Sequence, residues 1–248
     1  MIEFDVFKEK FTYYFKNSGI DFTEKILQDF YIFTEELISE NEKYNLTAIT
    51  DTDGIILKHY IDSVSVLKYF DIPKNSSVID IGTGAGFPSV PLYIMRNDLH
   101  ITFLESSNKK INFVKNVLNK FAYKQDVVFL CGRAEEAGKD LMFREKYDFA
   151  VSRAVAKLNI LCEFAAPFIK PGGSFIAYKS KNAGEEIEEA KNAVKILDLN
   201  ITETVRFTVS PDSGDNINNI RTLIKMKKLK KTSPKYPRNF SDISKNPL

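Results

Sequence analysis

Cysteine and histidine are scarce in this chain of 248 residues, which has two of each. Cys131 and Cys162 make no disulfide framework. Together with His59 and His100 they also make no zinc-ligand spacing, so no metal site is expected. A reducing, cytoplasmic setting is the expected compartment. Long apolar runs are missing too: none approaches the ~18–20 residues that a membrane span needs. The N-terminal MIEFDVFKEKF is acidic and helical in pattern, unlike a secretory leader. No internal repeat is visible. The remaining composition, 44% hydrophobic and 27% charged, suits a globular protein with a substantial core, either one large domain or one domain with an appendage.

The net charge of +2 hides an uneven distribution. Residues 1–75 are acidic, whereas residues 225–248 carry eight basic groups and a single acid, Asp242. A basic C-terminus of this kind suits a polyanion, and equally a solvated lysine-rich tail.

Hydrophobic periodicity divides the chain. Phe4, Phe7, Phe11, Tyr14 and Phe15 fall on one helical face, as do Ile26, Phe30, Phe33 and Leu37. A third helix is expected from about Asp53 to Tyr69, with Asn45-Leu46-Thr47 as a turn before it. Pro73-Lys74-Asn75-Ser76 is a breaker. Short β-rich runs then alternate with helical ones, with strands expected at 78–82, 101–105, 127–132, 147–153 and 174–180. This rhythm predicts parallel strands joined by crossover helices. Two final runs, 201–210 and 219–228, flank a polar loop with no helix between them and predict an antiparallel hairpin. The expected organisation is a helical subdomain over 1–74, an α/β domain over 75–231 and a basic tail over 232–248.

The stretch DIGTGAGFP, Asp80 to Pro88, follows the first strand. Glycines at 82, 84 and 86 permit positive φ and close approach of a ligand to the backbone at the carboxyl end of a strand. A dinucleotide fingerprint, G-x-G-x-x-G, would need glycine at 87 or 89, and the chain has Phe and Ser there. The spacing is D-x-G-x-G-x-G, which resembles that of class I S-adenosylmethionine-dependent methyltransferases. The fold expected from it is Rossmann-like: a mostly parallel seven-stranded sheet ending in an antiparallel hairpin, under an N-terminal helical cap. Asp80 is placed to support the methionine end of such a cofactor. Glu105, ending the second strand, is placed to accept hydrogen bonds from both ribose hydroxyls, a placement that also fits a dinucleotide.

Where enzymes that methylate exocyclic amines carry Asn/Asp-Pro-Pro-aromatic, this chain has Ser152-Arg153-Ala154-Val155. Neither cysteine sits in a motif for nucleophilic attack on a pyrimidine, and both are expected in the core.

Six stretches then make the resemblance specific: NLTAIT (45–50), KHYIDS (58–63), DIGTGAGFPSVPL (80–92), GRAEE (132–136), SRAVA (152–156) and KYPR (235–238). In this order, over nearly the whole chain, they resemble the bacterial 16S rRNA guanine-N7 methyltransferase family (RsmG, or glucose-inhibited division protein B). The resemblance implies methyl transfer from S-adenosylmethionine to N7 of a guanosine in the 530 loop of 16S rRNA. It implies the small ribosomal subunit or its precursor as partner, and no obligate protein partner. It places Gly82, Phe87, Ala134, Glu135 and Arg153 at the cofactor, beside Asp80, Gly84, Gly86 and Glu105 from the glycine and ribose arguments.

Guanine N7 has a lone pair and no proton to lose, so no acid–base dyad is expected. Arg153 and His59 are positioning candidates, with His59 an i,i+3 neighbour of Asp62 and able to pair with it. Lys179, Lys230, Lys231, Lys235 and Arg238 are the candidates for RNA phosphates. A nucleotide-binding oxidoreductase and a non-enzymatic RNA-binding module are the competing readings.

Overall fold

The computed structural model describes residues 2–123, 126–209 and 219–248. The polar loop expected between the last two strands lies mostly outside them.

Helices α1 (Phe4–Asn17) and α2 (Glu24–Asn41) form as their apolar spacing predicts. The Thr23 side chain caps α2 by accepting from the Ile26 N–H. Phe7, Phe11 and Phe15 are fully buried and meet Phe22 and Phe30 in an aromatic cluster. Each such ring contributes on the order of 1.5–3 kcal/mol by burial.

The third helix, α3, spans residues 52–69 as expected in place but not in geometry. Its Ile55–Ile61 stretch is π-helical, flanked by short α-helical turns. Side-chain periodicity cannot report this, because i→i+5 bonding shifts the register by one residue over a single turn. Such stretches are frequent at functional sites.

The sheet then begins with β1 (Ser77–Ile81), followed by α4 (Ser89–Met95), β2 (His100–Glu105), α5 (Asn108–Leu118) and β3 (Val127–Cys131). After α6 (Ala134–Ala137) come β4 (Tyr147–Arg153), α7 (Leu158–Ala165) and β5 (Ile169–Lys179). The helical run after β5 is two helices meeting at Ala190, α8 (Ala183–Glu189) and α9 (Lys191–Ile196). The hairpin is β6 (Leu199–Thr208) with β7 (Ile220–Lys228). Spatial order is β3-β2-β1-β4-β5-β7-β6, parallel from β3 through β5 and antiparallel at β7 and β6. The chain order reverses at β1, between β2 and β4, which is the topological switch point where open α/β sheets bind ligands.

The N-terminal helices share one apolar cluster with a face of this sheet: Phe7, Phe33 and Tyr60 belong to the same cluster as Tyr93, Phe103 and Val114. Buried Asp29 on α2, paired with Lys25 one turn earlier on the same helix, fastens the two parts by accepting from Tyr123.

The chain's end is also folded. Residues 229–248 run back across α7 and finish in a short helix, α10 (Phe240–Lys245). Tyr236 is buried and Ile243 has no exposure. Cys162 is in the core as expected, and burial pushes its thiol up to about 12. Cys131 is not: it ends an outer strand and is exposed. Among the described residues, no helix is long and apolar enough to cross a membrane.

Candidate functional site

The glycine turn lies over the carboxyl end of β1 and is stitched to β2. Gly82 and Thr83 donate to the Leu104 carbonyl at 2.8 and 3.1 Å, and Gly84 N–H donates to Glu105 Oε2 at 3.0 Å. The other Glu105 oxygen accepts from the Ser107 N–H at 2.9 Å. Gly82 and Gly84 are needed for different reasons. Gly82 has φ +72°, and a Cβ there would stand 2.5 Å from Val155 Cγ2. Gly84 has φ +59°, but a Cβ would meet nothing nearer than the Gly82 carbonyl at 4.0 Å. It would project into open space, the space a ligand would use.

That space is a cavity of about 460 Å3, a size suited to a small-molecule ligand. Gly82, Gly84, Phe87, Glu105, Ala134, Glu135 and Arg153 all line it, together with His59. Two expected residues stand behind the lining. Gly86 packs against α4, where a Cβ would strike Val90 Cγ2 at 2.5 Å. Asp80 is completely buried under the turn. Its two oxygens have no hydrogen-bond partner, and neither do the nearby hydroxyls of Thr83 and Ser89. Burial pushes the Asp80 carboxyl up to about 7; those two hydroxyls and Arg153 lie near enough to offset part of that rise.

Arg153, at the end of β4, is gripped by α3. Its guanidinium donates to the Lys58 carbonyl and to Asp62 Oδ2, both at 3.0 Å, and to His59 Nδ1 at 3.2 Å. His59 and Asp62 therefore do not pair with each other, as the i,i+3 spacing suggested; both face Arg153. Because guanidinium only donates, His59 Nδ1 must accept, and Nε2 carries the proton and donates to Thr47 Oγ1 at 2.8 Å. Burial, reinforced by the Arg153 charge, pulls His59 down to about 3, so the ring is neutral. It stacks on Phe87 at 4.4 Å, and the Arg153 guanidinium lies 4.9 Å from the same ring. The residue after Arg153, Ala154, is held at φ +57°, a left-handed conformation costing roughly 1–2 kcal/mol that the surrounding contacts must offset.

His59, Arg153, Ala154 and Val155 also form one wall of a second cavity of about 660 Å3. Its other walls come from α3, the end of β5 and β7, and include Asp62, Tyr178, Lys179 and Arg221. Arg221 lies 3.4 Å from Asp62 Oδ2, so one carboxylate faces two guanidinium groups.

The five basic residues expected at RNA phosphates are placed unequally. Lys179 is buried and bound to the Ala156 carbonyl and to Glu186. Arg238 makes a two-point ion pair with Glu163, a side chain only 1% exposed. Lys230, Lys231 and Lys235 are exposed, Lys230 near Asp198 at 3.3 Å and Lys235 over the Tyr236 ring. None of these three lines either cavity. Exposed Lys58 and Arg133 and half-buried Lys110 do line the cavities, though sequence reasoning passed over them. Thr47 and Asp62 lay inside quoted motifs, but their partners are remote in sequence. Arg221 and Phe240 carried no local signal at all.

The family model described as rRNA small subunit methyltransferase G (GidB) matches residues 26–212. The chain belongs to the rRNA small subunit methyltransferase G family. Curated relatives bearing that name include one from Exiguobacterium sibiricum, 39% identical over 97% of this chain and 99% of the relative. Another, from Staphylococcus aureus, is 42% identical over 94% of this chain and 95% of the relative. Among solved structures, M. jannaschii TYW2 in complex with AdoMet superposes with a TM-score of 0.50 at 13% identity, covering 68% of this chain and 77% of that one. At that identity the likeness speaks to fold, which is the class I methyltransferase architecture. In this member of the GidB family, three of the matched motifs converge on one wall. NLTAIT brings Thr47 to His59, KHYIDS brings His59 and Asp62 to Arg153, and SRAVA supplies Arg153 itself.

Proposed function

We propose that this chain transfers the methyl group of S-adenosylmethionine to N7 of a guanosine in the 530 loop of 16S rRNA, with the small subunit or its precursor as partner and the cytoplasm as setting. The coarser statement, S-adenosylmethionine-dependent methylation of small-subunit rRNA, follows from family membership. The first cavity fits the cofactor. Its open cradle at Gly84, the anchored Glu105 carboxylate and the buried acid Asp80 beneath the turn match a glycine-approached nucleoside carrying a cationic amino-acid end. When bound, the cofactor supplies a methyl already activated on a sulfonium. Asp80 stands one layer behind the lining, so its support for the cationic end is electrostatic or relayed through the turn.

The target base belongs in the second cavity, against the wall that both cavities share. A base splayed out of its loop can enter there, and its ring can be aligned with the donor by Arg153 and the backbone at 154–156. Alignment alone supplies several kcal/mol. Lys58, Lys110 and Arg133 at the cavity walls, with Lys230, Lys231 and Lys235 farther out, are suited to the phosphates.

One observation carries the choice of N7. His59, the imidazole at the shared wall, is neutral with its lone pair already engaged by Arg153. It is a poor proton acceptor, as an enzyme attacking through an existing ring lone pair can tolerate and an enzyme deprotonating an amine or hydroxyl cannot. The test is to treat small subunits from cells lacking the enzyme with protein and S-adenosylmethionine, then to map N7-methylguanosine by borohydride–aniline cleavage. Strand scission at a single guanosine of the 530 loop is expected. Methyl incorporation without scission there would refute the N7 reading.

A further inference from the structure

The segment after β7 was expected to be a basic tail presented to RNA, yet the fold grips it on all sides. Arg144 donates to the carbonyls of Thr232, Ser233 and Tyr236 at 2.9, 3.2 and 2.9 Å. Arg238 is locked to buried Glu163 through its backbone N–H at 2.8 Å and its guanidinium at 2.6 Å. Ile243 is sealed into the core. Asn239 caps α10 by accepting from the Asp242 N–H at 3.0 Å.

Beyond Leu229, just after β7, this anchoring leaves one large apolar side chain outside. Phe240 is 49% exposed, although the helix that carries it is pinned on either side. Its ring forms part of the wall of the first cavity, alongside Arg133, Ala134 and Phe164. The Arg133 guanidinium lies 5.4 Å from the ring centre. These residues sit at the β3 side of the cavity. Asp80 and Arg153 belong to β1 and β4, on the far side of Glu105. A ligand whose sugar is held at Glu105 and whose cationic end points toward Asp80 must place its flat base at the end where Phe240 stands.

We infer that the C-terminal strap is part of the cofactor site, with Phe240, steadied by Arg133, forming the aromatic wall against which the adenine of the cofactor packs. The strap lies beyond the residues matched by the family model, 26–212. Its anchors explain the use of Arg238: the residue sets the strap's position and so the ring's. Aromatic–base stacking is strong enough to change cofactor affinity about tenfold without changing the fold.

This inference rests on the cofactor reading above, and the experiment separates the two. Titration calorimetry of full-length protein with S-adenosylhomocysteine and with methylthioadenosine would compare wild type, Phe240→Ala, Phe240→Leu and Phe240→Tyr. Phe240→Ala and Phe240→Leu should weaken both ligands about tenfold and alike, because both carry adenine. Phe240→Tyr should bind as wild type does. Melting temperatures should stay together, since the ring is half in solvent. The KM for small subunits should be unmoved. Wild-type affinity in Phe240→Ala or Phe240→Leu would overturn the role of the strap. A wild type that binds neither adenosine ligand would instead overturn the cofactor reading itself.

Discussion

The two cavities share Arg153 but are built from different material. The first is made largely of main chain: a turn without side chains, the N–H groups that hold Glu105, and the short stretch after β3. The second is made of charged side chains drawn from α3, β4, β5 and β7, held by ion pairs that close over more than ninety residues of chain. The first owes its shape to local sequence and tolerates little change at Gly84. The second owes its shape to a network, and fails if any central member is lost. Main-chain sites are pre-organised at little cost because their hydrogen bonds are part of the sheet. A buried ionic wall must keep every charge matched.

Four measurements would break or sharpen this contrast. The largest effect is expected from Asp62→Ala, which takes the buried carboxylate away from Arg153 and Arg221. Denaturant unfolding should show a loss of about 3–5 kcal/mol; a loss below about 1 kcal/mol would mean the wall is not network-held. Next is Glu105→Ala in the first cavity. It removes a charged acceptor from the Gly84 and Ser107 N–H groups and from the ligand, so calorimetry should show S-adenosylhomocysteine weakened roughly 10- to 100-fold. Stability should change less than in Asp62→Ala.

The third concerns pH, where the two sites should pull in opposite directions. Asp80 is raised to about 7 when folded, so its contribution to stability is present below the ordinary carboxylate range and fades as pH rises through about 7. His59 is lowered to about 3, so its contribution is present above about 6.5 and fades as pH falls toward 3. Relative to wild type, Asp80→Asn should gain stability steadily from pH 4 to 7, by about 1 kcal/mol or more. His59→Gln should gain as pH falls from 6.5. Parallel stability curves for wild type and both variants would contradict these buried states.

The smallest effect separates free from committed cations. Lys58→Ala should flatten the salt dependence of small-subunit binding by a slope of about 0.7–1. Lys179→Ala, losing a lysine already paired with Glu186, should leave that slope alone while lowering stability. Equal slopes for both variants would show that the ion pair opens on RNA.

Much of this was legible before folding. The strand–glycine–helix passage at Asp80–Pro88, Glu105 at the end of the next strand, and the final hairpin all depend on neighbours in sequence, and their spacing reports them. His59 was singled out, but its partner was misjudged. Spacing along a helix offered Asp62, and the fold brought Arg153 between them from 94 residues away. Sequence offers Lys179 and Arg238 to RNA phosphates, a reading that holds only until an acid elsewhere claims them. Glu163 claims Arg238 and Glu186 claims Lys179. Nothing near Phe240 distinguished it from any other aromatic in a tail.

By itself, then, the order of residues determined the α/β alternation, the bare turn after β1 and family membership. Each is set by local backbone preference or by residue patterns readable in one dimension. Tertiary structure alone decided which charges are spent on one another, that α3 takes a π-helical turn beneath Arg153, and that the chain's end returns to line a cavity. Those outcomes depend on burial: charges brought out of water must be matched by whatever the fold places beside them, and that choice is made across space rather than along the chain.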